Sequence, residues 1–280
     1  MLSFSKFSGS GNDFIIIDDR EGAFGRLSAA APEKLVRRIC QRRFSVGADG
    51  LILIVADAEV DFAWRFFNAD GSEVEMCGNG GRCAARFAYL QGIAGRHMAF
   101  RTLAGIMRAE ILKKDRVKLE VGRPKDLEPE FDLNIDGLVL KAGSINTGVP
   151  HVVVEVFSDL DACEVVRLGR AIRHHPRFAP AGTNANFISQ AGPEALAIRT
   201  YERGVEDETL ACGTGSIASA LICAQKGRVS SPVRVKTRGG EILSIHFALD
   251  AGGFKDVFLE GGAAHVYDGV LQPEAWERPA

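Results

Sequence analysis

Apolar and polar positions alternate along this chain in short segments separated by glycines, which predicts many short strands joined by tight turns. In the first half, strands are expected near residues 2–7 and 14–18, around a glycine loop at 9–12. A helix follows near Pro32–Cys40, where Pro32 suits a first helical turn. Strands near 51–56 and 61–67 lead through a loop at 68–71 to a second helix, opening at Cys77-Gly78-Asn79-Gly80 and ending near Gly92. Strands near 98–101, 106–113 and 116–121 close this half. In the second half, strands near 138–142 and 152–157 precede a helix within 164–174 that stops at His175, before Pro176. Strands near 185–189 and 196–202 lead to a helix opening at Cys212-Gly213-Thr214-Gly215, running to Lys226 and ending at Gly227. Strands near 233–236, 241–247 and 255–260 follow.

Both halves order strands, helix, strands, cysteine helix and strands alike. The two cysteines stand about half the chain apart, so an internal duplication is the economical explanation. The helix after Cys212 is apolar nearly all round, through Ile217, Ala218, Ala220, Leu221, Ile222, Cys223 and Ala224, as expected of an enclosed helix. A curved antiparallel sheet wrapped around it would supply the enclosure. The expected fold class is α+β, with two similar domains and the active site in the cleft between them.

Composition narrows the function classes. At 280 residues and 30.2 kDa there is room for two modest domains or one large one. Hydrophobic content of 46% and charged content of 25% are those of an ordinary globular protein. A net charge of −2 gives no reason to expect nucleic-acid binding. No apolar run approaches the roughly 18 residues of a membrane span, and MLSFSKFSGSGNDF lacks a signal-peptide core. A cytoplasmic protein is expected.

The six cysteines are Cys40, Cys77, Cys83, Cys163, Cys212 and Cys223. None forms a CxxC pair or has a histidine at zinc-ligand spacing, so no metal is expected. Four read as small apolar fillers. Cys77 and Cys212 differ, because a thiol at a helix start sits among unpaired N–H groups and the positive end of the dipole, which favour the thiolate. Two such thiols on opposite faces of a small ligand suit inversion at an amino-acid α-carbon, with one removing a proton and the other delivering one. Their structural rival is a disulfide between Cys77 and Cys212.

Other candidates stay open between two roles. Gly9-Ser10-Gly11-Asn12 lacks the third glycine of a dinucleotide fingerprint, and no phosphate-loop motif is present. Asn12, Asn68, Asn79, Asn184 and Asn186 lie beside glycine turns or strand ends, as turn residues or as ligand contacts. Glu202-Arg203 is a surface ion pair or a clamp for a zwitterion. His151 is a satisfied core histidine or a group that tunes a thiol.

These residues resemble the diaminopimelate epimerases, which interconvert LL- and meso-diaminopimelate without pyridoxal phosphate. The matching segments are Gly9-Ser10-Gly11-Asn12-Asp13-Phe14, Gly47-Ala48-Asp49-Gly50, Phe67-Asn68-Ala69-Asp70-Gly71, Met76-Cys77-Gly78-Asn79-Gly80-Gly81-Arg82-Cys83, Pro150-His151, Gly182-Thr183-Asn184, Glu202-Arg203-Gly204 and Ala211-Cys212-Gly213-Thr214-Gly215. They run in the family's order over nearly the whole chain.

The resemblance implies an isomerase of lysine and peptidoglycan-precursor biosynthesis that needs no cofactor, with Cys77 and Cys212 as the acid/base pair. It implies substrate contacts from Asn12, Asn68, Gly78, Asn79, Asn184, Glu202, Arg203, Gly213 and Thr214. His151 and Glu202 would modulate the thiol pKa values. The implied fold is two β-barrel-like domains each around a central helix, spanning 1–121 and 122–262. The last strand, within 263–280, would return to the first domain. A homodimer is implied, with Tyr267 at the contact.

Three departures bear on distal substrate contacts. Val149 stands where many relatives have a substrate-binding asparagine, with Asn146 nearby. Gly50 stands where some have a glutamine. The stretch 205–209 is one residue longer than the common form. Proline and hydroxyproline racemases share the fold and also use two cysteines, but the Glu202-Arg203 pair argues for a second head group that proline lacks. Isomerases resembling the phenazine-pathway enzyme share the fold without the cysteine pair. A non-catalytic zwitterion-binding protein is the alternative outside enzymes.

Overall fold

The computed structural model describes residues 2–27, 31–250 and 253–277, and residues 278–280 of the expected returning segment lie outside them. The chain divides into two compact units, Met1–Leu119 with Gly261–Ala280, and Glu120–Glu260. The first unit carries β1 (Leu2–Gly9), β2 (Asn12–Asp18), α1 (Ala23–Leu27), α2 (Pro32–Cys40), β3 (Gly50–Val55), β4 (Phe62–Asn68), α3 (Gly78–Leu90), β5 (His97–Thr102), β6 (Gly105–Ile111) and β7 (Arg116–Glu120). The second carries β8 (Lys125–Ile135), β9 (Leu138–Asn146), β10 (Pro150–Glu155), α4 (Val165–Arg173), β11 (Asn184–Gly192), β12 (Ala195–Glu202), β13 (Asp207–Thr209), α5 (Gly213–Gln225), β14 (Val233–Lys236), β15 (Ile242–Asp250) and β16 (Gly253–Gly262). Then β17 (Ala264–Leu271) and the short α6 (Glu274–Glu277) rejoin the first unit.

Strand pairing shows the duplication. In the first unit β17, β1 and β2 are antiparallel neighbours, β2 runs parallel to β3, β3 antiparallel to β4, β4 parallel to β5, and β5 and β6 antiparallel to their successors. The second unit repeats this order of antiparallel and parallel steps through β8, β9, β10, β11, β12, β14, β15 and β16. Helices enter at matching places: α2 and α4 between the parallel pairs β2/β3 and β10/β11, and α3 and α5 before β5 and β14. By this match β17 takes in the first unit the place that β8 takes in the second.

The middle strands of each sheet are buried on both faces and so read as unbroken apolar runs. In β2, Phe14 and Ile16 pack with α3, while Ile15 and Ile17 pack with Leu35, Val36 and Ile39 of α2. In β10, Val153 packs with α5, while Val152 and Val154 pack with Leu168 and Ile172 of α4. The inner helix of each unit is enclosed, with Ile217 through Cys223 all buried in α5. Leu221→Ala should therefore leave a cavity costing about 2–5 kcal/mol. A urea midpoint unchanged from wild type would contradict that packing.

Element bounds differ from expectation where local chemistry is mixed. β8 was not anticipated: its residues alternate charge with Pro129, only Leu133 and Ile135 are buried, and its register slips twice against β9. The five-residue α1 and three-residue β13 are too short to leave a periodic signal. α3 stops at Leu90, with Gly92 just beyond in the left-handed region at φ +68°. Among the described residues no helix is long and apolar enough to cross a membrane.

Candidate active site

Cys77 and Cys212 are the N-cap residues of α3 and α5, each with extended backbone. Each sulfur accepts the backbone N–H three residues on, Gly80 N to Cys77 Sγ and Gly215 N to Cys212 Sγ, both at 3.4 Å. A hydroxyl or carboxamide oxygen ordinarily fills this place. Using sulfur there fixes a reactive atom at the positive end of a helix.

In the first unit the Cys77 end of α3 is tied to the turn between β1 and β2. Asn79 Nδ2 donates to Asn12 Oδ1 at 2.9 Å, and Asn12 Nδ2 donates to Asp49 Oδ2 at 3.0 Å. The wholly buried Arg82 donates to Asn79 Oδ1 at 2.9 Å and to the Gly78 carbonyl at 3.2 Å. Asp49 in turn accepts from Arg42 at 2.9 Å. Burial pushes neighbouring Asp13 up, but Arg42 and Lys6 hold its carboxyl below the usual carboxylate range. Asn68 ends β4 opposite Gly50 and donates to Ser72 Oγ at 3.2 Å. At Gly50 a Cβ would lie 2.6 Å from the Phe66 ring and 2.7 Å from the Phe67 carbonyl, so this backbone leaves no room for a glutamine.

In the second unit the Cys212 end of α5 gathers the other candidates. Cys212 Sγ lies 3.5 Å from Thr214 Oγ1. The free, buried Cys212 thiol is pushed up to about 12, first by burial and then by the Glu202 charge. Hydrogen bonds from Thr214 and Gly215 pull the other way and are outweighed. The expected preference of a helix-start cysteine for the thiolate is thus overturned at Cys212, because loss of solvent outweighs a few N–H donors. Burial likewise raises the Glu202 carboxyl. Asn184 Oδ1 accepts the Arg203 N–H at 2.8 Å, and its Nδ2 donates to the Pro150 carbonyl at 2.9 Å.

Asn146 spends its side-chain oxygen on the N–H of Gly148, at 3.0 Å, inside its own turn. Neighbouring Thr147 anchors that turn by donating to the Thr214 carbonyl at 3.0 Å. Nothing in the sequence around Thr147 marked it for this. Asp49 and Arg82 lie inside the motifs, but Asp49 meets Asn12 and Arg82 also meets Ser10, both distant in sequence. Tyr267 lies on β17, opposite Lys6 and edge-on to Phe4 at 5.9 Å. Among the described residues no cluster of three or more His, Cys, Asp and Glu is placed to hold a metal ion.

His151 is wholly buried and lowered to about 3, first by burial and then by the Arg203 charge. The unfolded chain takes up this proton near 6.5, so between about 6.5 and 3 the folded state binds fewer protons. Stability should be undiminished by this group above pH 6.5 and fall on acidification through that window. A urea midpoint that drops less steeply with acid in His151→Gln than in wild type would bear this out. Identical slopes would contradict it.

A duplicated sheet-and-helix unit with a cysteine capping each inner helix defines the class. The chain has the fold of a phenazine biosynthesis protein of the PhzF family from Bacillus anthracis, with a TM-score of 0.71 at 16% identity over 97% of this chain and 99% of that one. It also matches a probable proline racemase from Agrobacterium radiobacter, with a TM-score of 0.68 at 16% identity over 99% and 94%. At these identities the likeness is one of fold. The family model for diaminopimelate epimerase matches residues 4–127 and 143–252. Diaminopimelate epimerase from Aquifex aeolicus is 48% identical over 283 residues, covering 99% of this chain and all of that protein. The chain belongs to the diaminopimelate epimerase family.

Proposed function

We propose that this enzyme interconverts LL- and meso-diaminopimelate by two-base proton transfer between Cys77 and Cys212, without pyridoxal phosphate. The observation that carries this reading is the matched pair of N-cap thiols in a chain of this family. Cys212, protonated because it is buried, is the resting acid. Cys77 takes the α-proton as a thiolate from one face. The Cys212 thiol delivers its proton to the other face of the same carbon, leaving the thiolate there. The reverse reaction exchanges the roles. Charge that develops on the α-carboxylate is met by N–H groups at a helix start, which bind the transition state more tightly than the ground state.

Asn12, Asn68, Gly78, Asn79, Asn184, Gly213 and Thr214 would contact substrate. Glu202 and Arg203 would hold ammonium and carboxylate, and His151 and Glu202 would set the thiol pKa values. Thiols must stay reduced to work, which favours the cytoplasm. A homodimer is supported by the exposed apolar side chains Val266, Tyr267 and Val270 on β17.

Incubation with diaminopimelate in deuterated water tests the reaction. Deuterium should enter the α-position as isomers interconvert. Freshly reduced protein that exchanges nothing would remove the epimerase reading, and faster exchange into proline would favour a proline racemase.

A further inference from the structure

Asn186 lies inside β11, wholly buried, and its carboxamide joins three parts of the second unit. Its Nδ2 donates to the Val152 carbonyl at 2.9 Å and lies 3.1 Å from His151 Nδ1. Its Oδ1 accepts from Thr200 Oγ1 at 3.0 Å. The same oxygen lies only 2.2 Å from where a Cβ on Gly215 would stand, beside the N–H that holds Cys212 Sγ.

These contacts decide where the histidine proton is. A carbonyl oxygen only accepts, so Val152 fixes which end of the carboxamide is nitrogen. With one hydrogen spent on Val152, the other points at His151 Nδ1, which must accept it. The buried ring is neutral, so its one proton sits on Nε2. That N–H is buried and has no hydrogen-bond partner. An unpaired buried donor is rare and disfavoured, so it calls for an explanation. Cys212 is not its acceptor in this structure. The acceptors on a diaminopimelate zwitterion are its carboxylates.

We propose that Asn186 is a positioning residue that locks His151 in the Nε2–H tautomer and so reserves that N–H for a substrate carboxylate. This rests on the epimerase reading for the identity of the acceptor, but the tautomer itself does not.

Spectra of enzyme labelled with 15N-histidine test both parts. Wild type should show His151 with a bare Nδ1 and a protonated Nε2. Adding α-methyl-diaminopimelate, which has no α-proton to lose at the methylated centre, should shift the Nε2–H signal. In Asn186→Asp the new carboxylate accepts where the amide donated, so a proton should appear on Nδ1. Turnover should fall about 10²-fold, as for a misplaced catalytic geometry. The same change made in His151→Gln should cost little more, because Asn186 acts through the histidine.

A wild-type Nδ1–H tautomer would overturn the proposal, as would additive losses in the double variant or an Nε2–H signal unmoved by the analogue. Should Asn186→Asp fail to fold, the wild-type tautomer and its response to the analogue still decide. A correct tautomer in a protein with no α-deuterium exchange would instead remove the epimerase reading and with it the carboxylate acceptor.

Discussion

Cys212→Ser and Cys77→Ser should each fold normally and each lose about 10²–10⁴-fold in α-proton exchange, the usual contribution of a positioned acid or base. Serine separates two roles that alanine would confound. Each cysteine caps a helix as well as carrying the chemistry, and losing a cap to alanine costs about 1 kcal/mol. A serine hydroxyl keeps the cap but cannot serve as a thiolate or as a thiol acid of comparable strength. Thermal midpoints near wild type together with lost exchange would therefore assign the loss to proton transfer. A serine variant exchanging at the wild-type rate would overturn the role of that thiol.

Gly215→Ala should be far more damaging to turnover than Gly80→Ala, although the two glycines hold equivalent places three residues after each cysteine. At Gly215 the new Cβ would meet Asn186 Oδ1 at 2.2 Å and Cys212 Sγ at 3.2 Å. Asn186 is held by Thr200 and Val152, so the helix start or the carboxamide must shift. A displacement near 1 Å in such a site costs about 10²-fold. At Gly80 the nearest neighbour is the flexible Ile52 Cδ1 at 3.3 Å. There the gain of about 1 kcal/mol from alanine over glycine in a helix offsets a mild contact. Equal turnover in the two variants would show that the Asn186 contact is unimportant.

The inner helices were legible in the sequence because their signals are local. Small and apolar residues follow a cysteine and two glycines, and in α5 they leave no polar face. The edges were not. β8 was missed although Leu127, Phe131, Leu133 and Ile135 alternate with charged or polar residues, because Pro129 interrupts the run and the strand is irregular with little burial. The outer helices α2 and α4 were visible, but not that they cover the opposite face of the same sheets, which depends on pairing between distant strands.

In the candidate site, motifs pointed to residue types and left out who holds whom. Asn184 and Asn186 look alike in sequence, two positions apart on one strand. The first engages the Arg203 turn and the second His151, because their partners come from β10 and the β12 end. The protonation of Cys212 was not legible in the sequence, because burial, which opposes the helix dipole, has no signature at a single cysteine.

β1 has β2 on one side and β17, which is translated only after the whole second unit, on the other. On a ribosome the outer edge of β1 therefore stays open while the whole second unit is made. An open strand edge invites pairing with another chain. The second unit comes from one unbroken stretch and can close without waiting. A nascent chain that stalls before β17 would carry a finished second unit tethered to an unsealed first one, with Leu2 and Phe4 lacking the strand opposite them. The half that leaves the ribosome first is the last to be completed.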